Sequence, residues 1–240
     1  MPDAIQGKQI VLAGGAGGLG YACALRLHQD GARLIISYRS RRDRAVNAVP
    51  LGRVEQADLT QAKDRRALLD TAEEMYGLVV LAGDPARVTS PDQMEDTLRR
   101  SHEVNFLGPI LLAREAAERM KQRSTAGSIV LVSTMQAMAL FPGSTAYAAP
   151  KAALLHAARI LAKECRGPAN VRVNVISPGV MQAGMAEASI ASGKYNRFLE
   201  EGIVPRFGRA DDVARAVRFL LEPDNYITGQ ALTIDGGLTL

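Results

Sequence analysis

Short apolar runs rich in Val, Ile and Leu recur along the chain, separated by longer helical patterns. The series opens QIVLA, YACALRLHQDG, RLIIS and continues through GLVVLAG, GSIVLVS, VRVNVIS and QALTIDGG. No other feature constrains the fold as tightly. Strands that read as nearly continuous hydrophobic stretches are buried on both faces, and a sheet of them needs helices on both sides. Strand alternating with helix makes that sheet parallel. The expected fold class is therefore α/β: a doubly wound parallel sheet, of about seven strands, with helices on both faces. With 240 residues, 47% of them hydrophobic, the chain can bury a substantial core. No internal repeat, low-complexity segment or Pro/Gly-rich linker divides it, so one domain over 1–240 is expected. The irregular stretch Met185 to Arg209 carries Gly193, Gly202, Pro205 and Gly208 and follows a strand end. Ligands of open α/β sheets bind beyond such ends, which makes 185–209 the expected substrate lid.

Composition removes several classes of function. No apolar run approaches the roughly 20 residues of a membrane span, and the opening MPDAIQGKQIVLAGG lacks the apolar core of a signal peptide. A cytoplasmic protein with no membrane partner is expected. Cys23 and Cys165, the only cysteines, each fall in a helical pattern and read as packing residues rather than metal ligands or a disulfide. A net charge of +4 raises the question of a nucleic-acid partner. The basic residues are dispersed, however, with one cluster in SYRSRRDR, and a chain without tryptophan and with 5% aromatics offers few stacking platforms. A local anion site explains the cluster better than nucleic acid does.

Between the first strand and the first helix lies AGGAGGLG, residues 13–20. Glycines there allow a tight turn and a close backbone approach to a pyrophosphate, which the N-terminus of the following helix then holds. Two registers fit: Gly15, Gly17 and Gly20 make G-x-G-x-x-G, and Gly14, Gly18 and Gly20 make G-x-x-x-G-x-G. Either way the position, strand before and helix after, is that of a dinucleotide turn in a Rossmann sheet. No Gly-Lys-Ser/Thr follows, which argues against a nucleotide triphosphatase. The second strand ends ISYRSRR, with Tyr38 where an acid for the NAD ribose belongs and with Arg39, joined by Arg41 or Arg42, offering forked donors for the extra phosphate of NADP. The expected cofactor is NADP(H). Asp58, in ADLT past a third short strand, suits either the adenine amino group or a helix cap.

In the stretch STMQAMALFPGSTAYAAPK, Tyr147 and Lys151 stand four apart on a predicted helix and share a face. A phenol titrates near 10, so a phenolate at neutral pH needs about 3 units of lowering, roughly 4 kcal/mol, from a neighbouring ammonium and a bound oxidised nicotinamide. Pro150 removes one helical hydrogen bond between the two residues and is expected to kink the helix. That loss is smaller in the first turns, where amide hydrogens lack partners in any case.

With the wide glycine register, Asn105 in HEVNFLGP, Tyr-x-x-x-Lys at 147–151 and Pro178-Gly179 after the sixth strand, the chain resembles the short-chain dehydrogenase/reductase family over nearly its whole length, down to the ending YITGQALTIDGG. RFGRADDVARAV and that ending resemble the 3-oxoacyl-(acyl carrier protein) reductase branch most. The resemblance implies that Tyr147 gives a proton to a carbonyl, that Lys151 holds the ribose and lowers the tyrosine pKa, and that Asn105 supports a proton relay through water. Counting thirteen positions back from Tyr147 places the carbonyl-polarising hydroxyl on Thr134, where the family normally has serine. Ser133 then belongs to the strand end, and Ser144 or Thr145 caps the helix. The resemblance also implies a cofactor path along Gly14, Ala16, Gly17, Gly18, Leu19 and Gly20, then Arg39 and Ser40, then Asp58 and Leu59. Beyond these it passes Ala82 and Gly83 and reaches Pro178, Gly179 and Val180.

Three departures mark the chain off from the family pattern. Val80-Leu81-Ala82-Gly83 replaces Asn-Asn-Ala-Gly, Ala183 replaces a threonine that bonds the nicotinamide carboxamide, and Thr134 replaces serine. A threonine hydroxyl keeps its donor and acceptors but brings a methyl and a stiffer first torsion, which narrows the substrate range. The expected activity is NADPH-dependent reduction of a carbonyl on an apolar or acyl-thioester substrate, with an acyl carrier protein as possible partner and a homotetramer or homodimer as assembly. Met135, Met138, Leu140, Phe141, Met181 and Met185 are the expected apolar surroundings. The alternatives are a dinucleotide-binding sensor without turnover and a dehydrogenase of a sugar, steroid or other secondary alcohol.

Overall fold

The structure, a computed structural model, describes residues 4–240. Seven strands form one sheet: β1 (Gln9–Ala13), β2 (Arg33–Tyr38), β3 (Arg53–Gln56), β4 (Met75–Val80), β5 (Gly127–Val132), β6 (Val171–Pro178) and β7 (Ala231–Ile234). Every pairing is parallel and the order is β3-β2-β1-β4-β5-β6-β7. The doubly wound α/β class read from the sequence is the fold observed. Strand order reverses beside β1, and a crevice for ligands opens at that switch point beyond the carboxyl ends of the strands.

Alternation of side chains along each strand builds two cores. Val11, Leu78, Val80, Ile129 and Leu131 face one way, against α5 (Gly108–Gln122) and α6 (Thr145–Glu164) through Leu112, Ala116, Leu154 and Ala158. Ile10, Leu12, Val79, Val130 and Ile176 face the other way, against α1 (Gly18–Gln29) through Cys23, Ala24 and Leu27. The last helix to pack there, Ala210–Leu220, contributes Val213, Ala214 and Val217. The alanines let helix backbones sit close to the sheet, and central strands with no polar face explain the continuous hydrophobic runs. Both cysteines are buried and free; burial pushes the Cys23 thiol up to about 12, so it packs and does not react.

The remaining helices are α2 (Arg42–Ala48), α3 (Ala62–Asp70), α4 (Met94–His102), α7 (Glu187–Ala191) and α8 (Arg197–Glu200), with Ala210–Leu220 as α9; of these, α2 and α7 reach the crevice. Between α4 and α5 the chain makes a π-helical turn at Glu103–Leu107, an irregularity common at functional sites. The 185–209 stretch is more ordered than its glycines suggest, holding α7 and α8 and returning to the sheet where Gly208 bridges to Met181. Strand β4 starts at Met75 rather than Gly77 because it carries a bulge: Gln9 faces Met75 while Ile10 faces Gly77. Among the described residues no helix is long and apolar enough to cross a membrane.

Candidate active site

The glycine turn is shaped by close backbone contacts. Gly14 has φ +83°, where side chains are strained, and a Cβ there would lie 2.7 Å from the Ala82 nitrogen. A Cβ on Gly18 would lie 2.6 Å from the Gly184 nitrogen, and one on Gly20 would overlap the Gly14 carbonyl oxygen. All three residues of the wide register G-x-x-x-G-x-G therefore need glycine for the backbone alone. Gly17, which belongs only to the other register, meets nothing closer than 3.5 Å, so its lack of a side chain leaves space on the cleft side. Helix α1 starts at Gly18 with no side-chain cap and no acid in its first turn, leaving amide hydrogens and the positive end of the dipole open to an anion.

From this turn a cleft of about 950 Å³ runs across the strand ends to the 185–209 segment, a volume in the range of cofactor sites. Gly14, Ala16, Gly17, Gly18, Leu19 and Gly20 line it, as do Arg39, Ser40, Asp58, Leu59, Ala82, Gly83, Pro178, Gly179 and Val180, together with Thr134, Tyr147 and Lys151. At the β2 end Tyr38 takes the position of an acid, and the exposed Arg39 guanidinium has no ion-pair partner among the described residues. Arg41 is already paired with Asp43 at 2.7 Å. Arg42 does not line the cleft and Arg44 does, because α2 begins at Arg42 and turns Arg44 back toward Arg39. Asp58 does not cap α3, whose N-cap is Gln61; its Oδ1 accepts from the Thr60 amide and hydroxyl at 3.0 and 2.9 Å.

At the far end, Lys151 is 2% exposed and its Nζ donates to the Val132 carbonyl at 2.8 Å. The Ser133 hydroxyl donates in return to the Lys151 carbonyl at 2.9 Å, so Ser133 ties the end of β5 to α6 and Thr134 is the hydroxyl free for the cleft. Thr134 Oγ1 accepts from the Gln136 amide at 3.3 Å, and Thr134 and Tyr147 both line the cleft. Burial lowers the Lys151 ammonium to about 8. Burial also pushes the Tyr147 phenol up to about 12, against a downward pull from Thr134, with a small further rise from the Tyr195 phenol. The expected lowering by Lys151 is absent, because that ammonium is turned to a strand carbonyl.

Several expectations about the surroundings need correction. Helix α6 runs unbroken through Pro150, which lies early enough that one lost bond does not divide it. Ser144 is at its N-cap but does not cap it; the hydroxyl donates back to the Phe141 carbonyl at 2.6 Å. Asn105 is fully buried and stands outside the cleft lining. Its Oδ1 accepts from the Asp84 amide at 3.0 Å, and its Nδ2 donates to the Asp84 carbonyl and the Ser101 hydroxyl at 2.9 and 2.8 Å. These bonds leave one lone pair on Oδ1, which lies beside the cleft residue Gly83 together with the Lys151 ammonium. Asn105 braces the loop after β4, assisted by Arg100 to Asp84 at 3.1 Å, in a chain that lacks the family's asparagines there. Of the expected apolar surroundings, Met135, Phe141, Met181 and Met185 line the cleft, whereas Met138 and Leu140 are exposed outside it.

Sequence reasoning did not single out Tyr195. It lines the cleft, stacks on Phe198 at 6.2 Å and packs in a small apolar cluster with Met135, Val180 and Phe207. Arg87 was equally silent; it donates to the Met185 carbonyl at 3.1 Å and joins the loop after β4 to the 185–209 segment. An aromatic inside the 185–209 stretch was the available signal for Tyr195, and nothing local marks Arg87.

Comparison with known proteins decides the family. A family model described as enoyl-(acyl carrier protein) reductase, of the short-chain type, matches residues 14–239. The chain belongs to the short-chain dehydrogenase/reductase family. A 3-oxoacyl-[acyl-carrier-protein] reductase of Rattus norvegicus is 34% identical over 97% of this chain and 98% of its own. An NADPH-dependent aldehyde reductase-like protein of Arabidopsis thaliana chloroplasts is 30% identical, covering 98% and 96%. A solved short-chain dehydrogenase/reductase family protein superposes with a TM-score of 0.86 at 30% identity, covering 98% of both chains. As a short-chain dehydrogenase/reductase the protein is an oxidoreductase that interconverts CH–OH and C=O groups.

Two expectations follow from the geometry. Gly20→Ala will lower the melting temperature, overpacking of this kind costing about 1–3 kcal/mol, whereas Gly17→Ala will leave it unchanged and weaken dinucleotide binding; thermal unfolding with and without NADP⁺ separates the two. Lys151→Met will abolish turnover yet stabilise the fold at pH 7 by about 2 kcal/mol, relief of a buried charge less one hydrogen bond. Because the folded pKa near 8 lies below the unfolded 10.5, the wild type gains stability as pH rises from 8 to 10.5. The advantage of the variant therefore shrinks over that window, which denaturant unfolding at pH 7 and pH 10 reads directly.

Proposed function

We propose that the protein is an NADPH-dependent ketoreductase that reduces a carbonyl on an apolar or acyl-thioester substrate to a secondary alcohol. The observation that carries this is the placing of two hydroxyl residues, Thr134 and Tyr147, in the lining of a dinucleotide cleft together with a buried lysine, Lys151. The turn is a backbone cradle, held by the close contacts at Gly14, Gly18 and Gly20 and left open at Gly17; the open amides of α1 suit a pyrophosphate, and Arg39 with Arg44 suits a further phosphate. NADPH bound there supplies the hydride. Lys151 spends one N–H on Val132 and has two left for ribose hydroxyls. Thr134 donates to the substrate carbonyl oxygen, and Tyr147, which keeps its proton at neutral pH because burial raises it to about 12, gives that proton to the developing alkoxide.

The apolar lining from Met135, Phe141 and Met181, with the family likeness to a 3-oxoacyl reductase, favours an acyl chain, delivered as a thioester by an acyl carrier protein. Tyr147 and Lys151 are four apart, and enoyl-reducing relatives space the pair more widely, so a carbonyl is preferred over an enoyl group. Residues 185–209 act as the lid over that substrate, within one domain spanning the chain. Leu111 on α5 and Ile160 on α6 are 41% and 47% exposed, in keeping with a homotetramer or homodimer formed through these helices, in the cytoplasm.

With a short 3-oxoacyl thioester, loss of NADPH absorbance is expected and will disappear in Tyr147→Phe; cofactor binding without reduction of any acyl, quinone or sugar carbonyl would sink the enzyme reading in favour of a sensor. Arg39→Gln will weaken NADPH binding about tenfold and leave NADH unchanged, the loss of one charge-assisted contact. Reductive kcat/KM for NADPH will fall as pH rises through about 8, where Lys151 loses its charge.

A further inference from the structure

The amino ends of the strands carry a second hollow that shares no residue with the cleft. Its volume is about 570 Å³, and its walls come from the starts of β1, β2, β4, β5 and β6 and from the last turn of α5. Five cationic side chains line it, Lys8, Arg33, Arg119, Arg123 and Arg172, against two carboxylates, Glu73 and Glu74, an excess of three. Two of the five are neutralised: Arg33 pairs with Glu74 at 2.7 Å, and Arg119 with Asp70 and Glu115, each at 2.8 Å. The other three make no ion pair among the described residues. Lys8 holds its ammonium 5.1 Å from the centre of the Tyr76 ring, and Arg123 donates only to the Glu73 carbonyl.

Arg172 is the decisive member, because it is 4% exposed. Its guanidinium donates to the carbonyls of Leu220 and Glu222 at 3.0 and 2.8 Å and to the Tyr76 hydroxyl at 3.3 Å. The Leu220 carbonyl ends α9, where the helix dipole presents about half a negative charge, and the Glu222 carbonyl follows just past the helix end. A full buried charge is thus answered by hydrogen bonds and by part of a counter-charge, where buried ions ordinarily have a partner of opposite sign. Tyr76 belongs to the same arrangement: its hydroxyl joins Arg172 and its ring faces Lys8, and the β4 bulge is what places it there. Cations from three separate elements, ahead of β1, after α5 and on β6, converge on one hollow of metabolite size.

We propose that this hollow binds a small polyanion, a compound with two or more phosphate or carboxylate groups, independently of the dinucleotide cleft. Its charge completes the neutralisation of Arg172 and bridges Lys8 and Arg123, and such a ligand stabilises the native state by binding it alone. The test is isothermal titration and thermal unfolding of the full protein with pyrophosphate and, separately, citrate, both with NADP⁺ present to occupy the cleft. Each probe is expected to bind and to raise the melting temperature; pyrophosphate alone acting would identify a phosphate ligand, and citrate alone a carboxylate ligand. Lys8→Gln with Arg123→Gln, two exposed positions far from the cleft, should weaken binding at least about tenfold while NADPH affinity stays as in the wild type. Arg39→Gln should leave pyrophosphate binding intact. Absence of binding by either probe at millimolar concentration, or binding that survives the double substitution, would overturn the proposal.

Discussion

The buried ammonium of Lys151 and the carbonyl of Val132 form the contact on which the reaction end of the cleft depends. A charge taken out of water must be aimed at an acceptor, and the nearest is the last strand residue before the cleft hydroxyls. The return bond from Ser133 to the Lys151 carbonyl closes a two-way tie between the end of β5 and α6. Thr134 follows Ser133 by one residue and Tyr147 precedes Lys151 by one helical turn, so the tie also sets the distance between the two hydroxyls. Burial both lowers the ammonium and raises the phenol, so it holds the proton on Tyr147 at neutral pH.

The other end of the cleft rests on the opposite principle, side chains left out. Gly14 against Ala82, Gly18 against Gly184 and Gly20 against Gly14 bring four stretches of backbone closer than any side chain permits. The switch point beside β1 then presents helix amides rather than carbon atoms to a ligand. These contacts also explain why the loss of the family's asparagines after β4 is tolerated. The Leu81 and Ala82 amides both donate to the Ala13 carbonyl, at 2.8 and 3.1 Å, and Asn105 holds Asp84 from the other side, so the loop is anchored by backbone and by the π-helical turn after α4.

The sheet was legible because its central strands are buried on both faces, and continuous Val/Ile/Leu runs have few other uses. The edges of that legibility are physical. The β4 start was missed since a bulge is set by the partner strand and by the reach of the Tyr76 hydroxyl to Leu221, 2.7 Å away and far along the chain. Tyr147, Lys151 and Thr134 were legible through spacing along a strand and a helix, which local geometry carries faithfully. Asn105 was placed in the right region, but its orientation follows from a π-helical turn that no local pattern announces. Arg44 and Tyr195 reach the cleft from segments whose path depends on tertiary contacts, so only coordinates could assign them.

The contact between Gly18 and Gly184 also divides the protein into a part that is free to change and a part that is not. Gly184 stands at the root of the 185–209 segment, and its backbone rests on the cofactor turn with no side chain between them. Sequence drift beyond that root, in α7, α8 and their connections, can reshape one wall of the cleft without moving the turn. Drift at the root itself would alter cofactor and substrate sites together. A lineage that diversifies its substrates should therefore vary from Met185 outward and hold the two glycines still, with specificity evolving on a hinge point that is itself frozen.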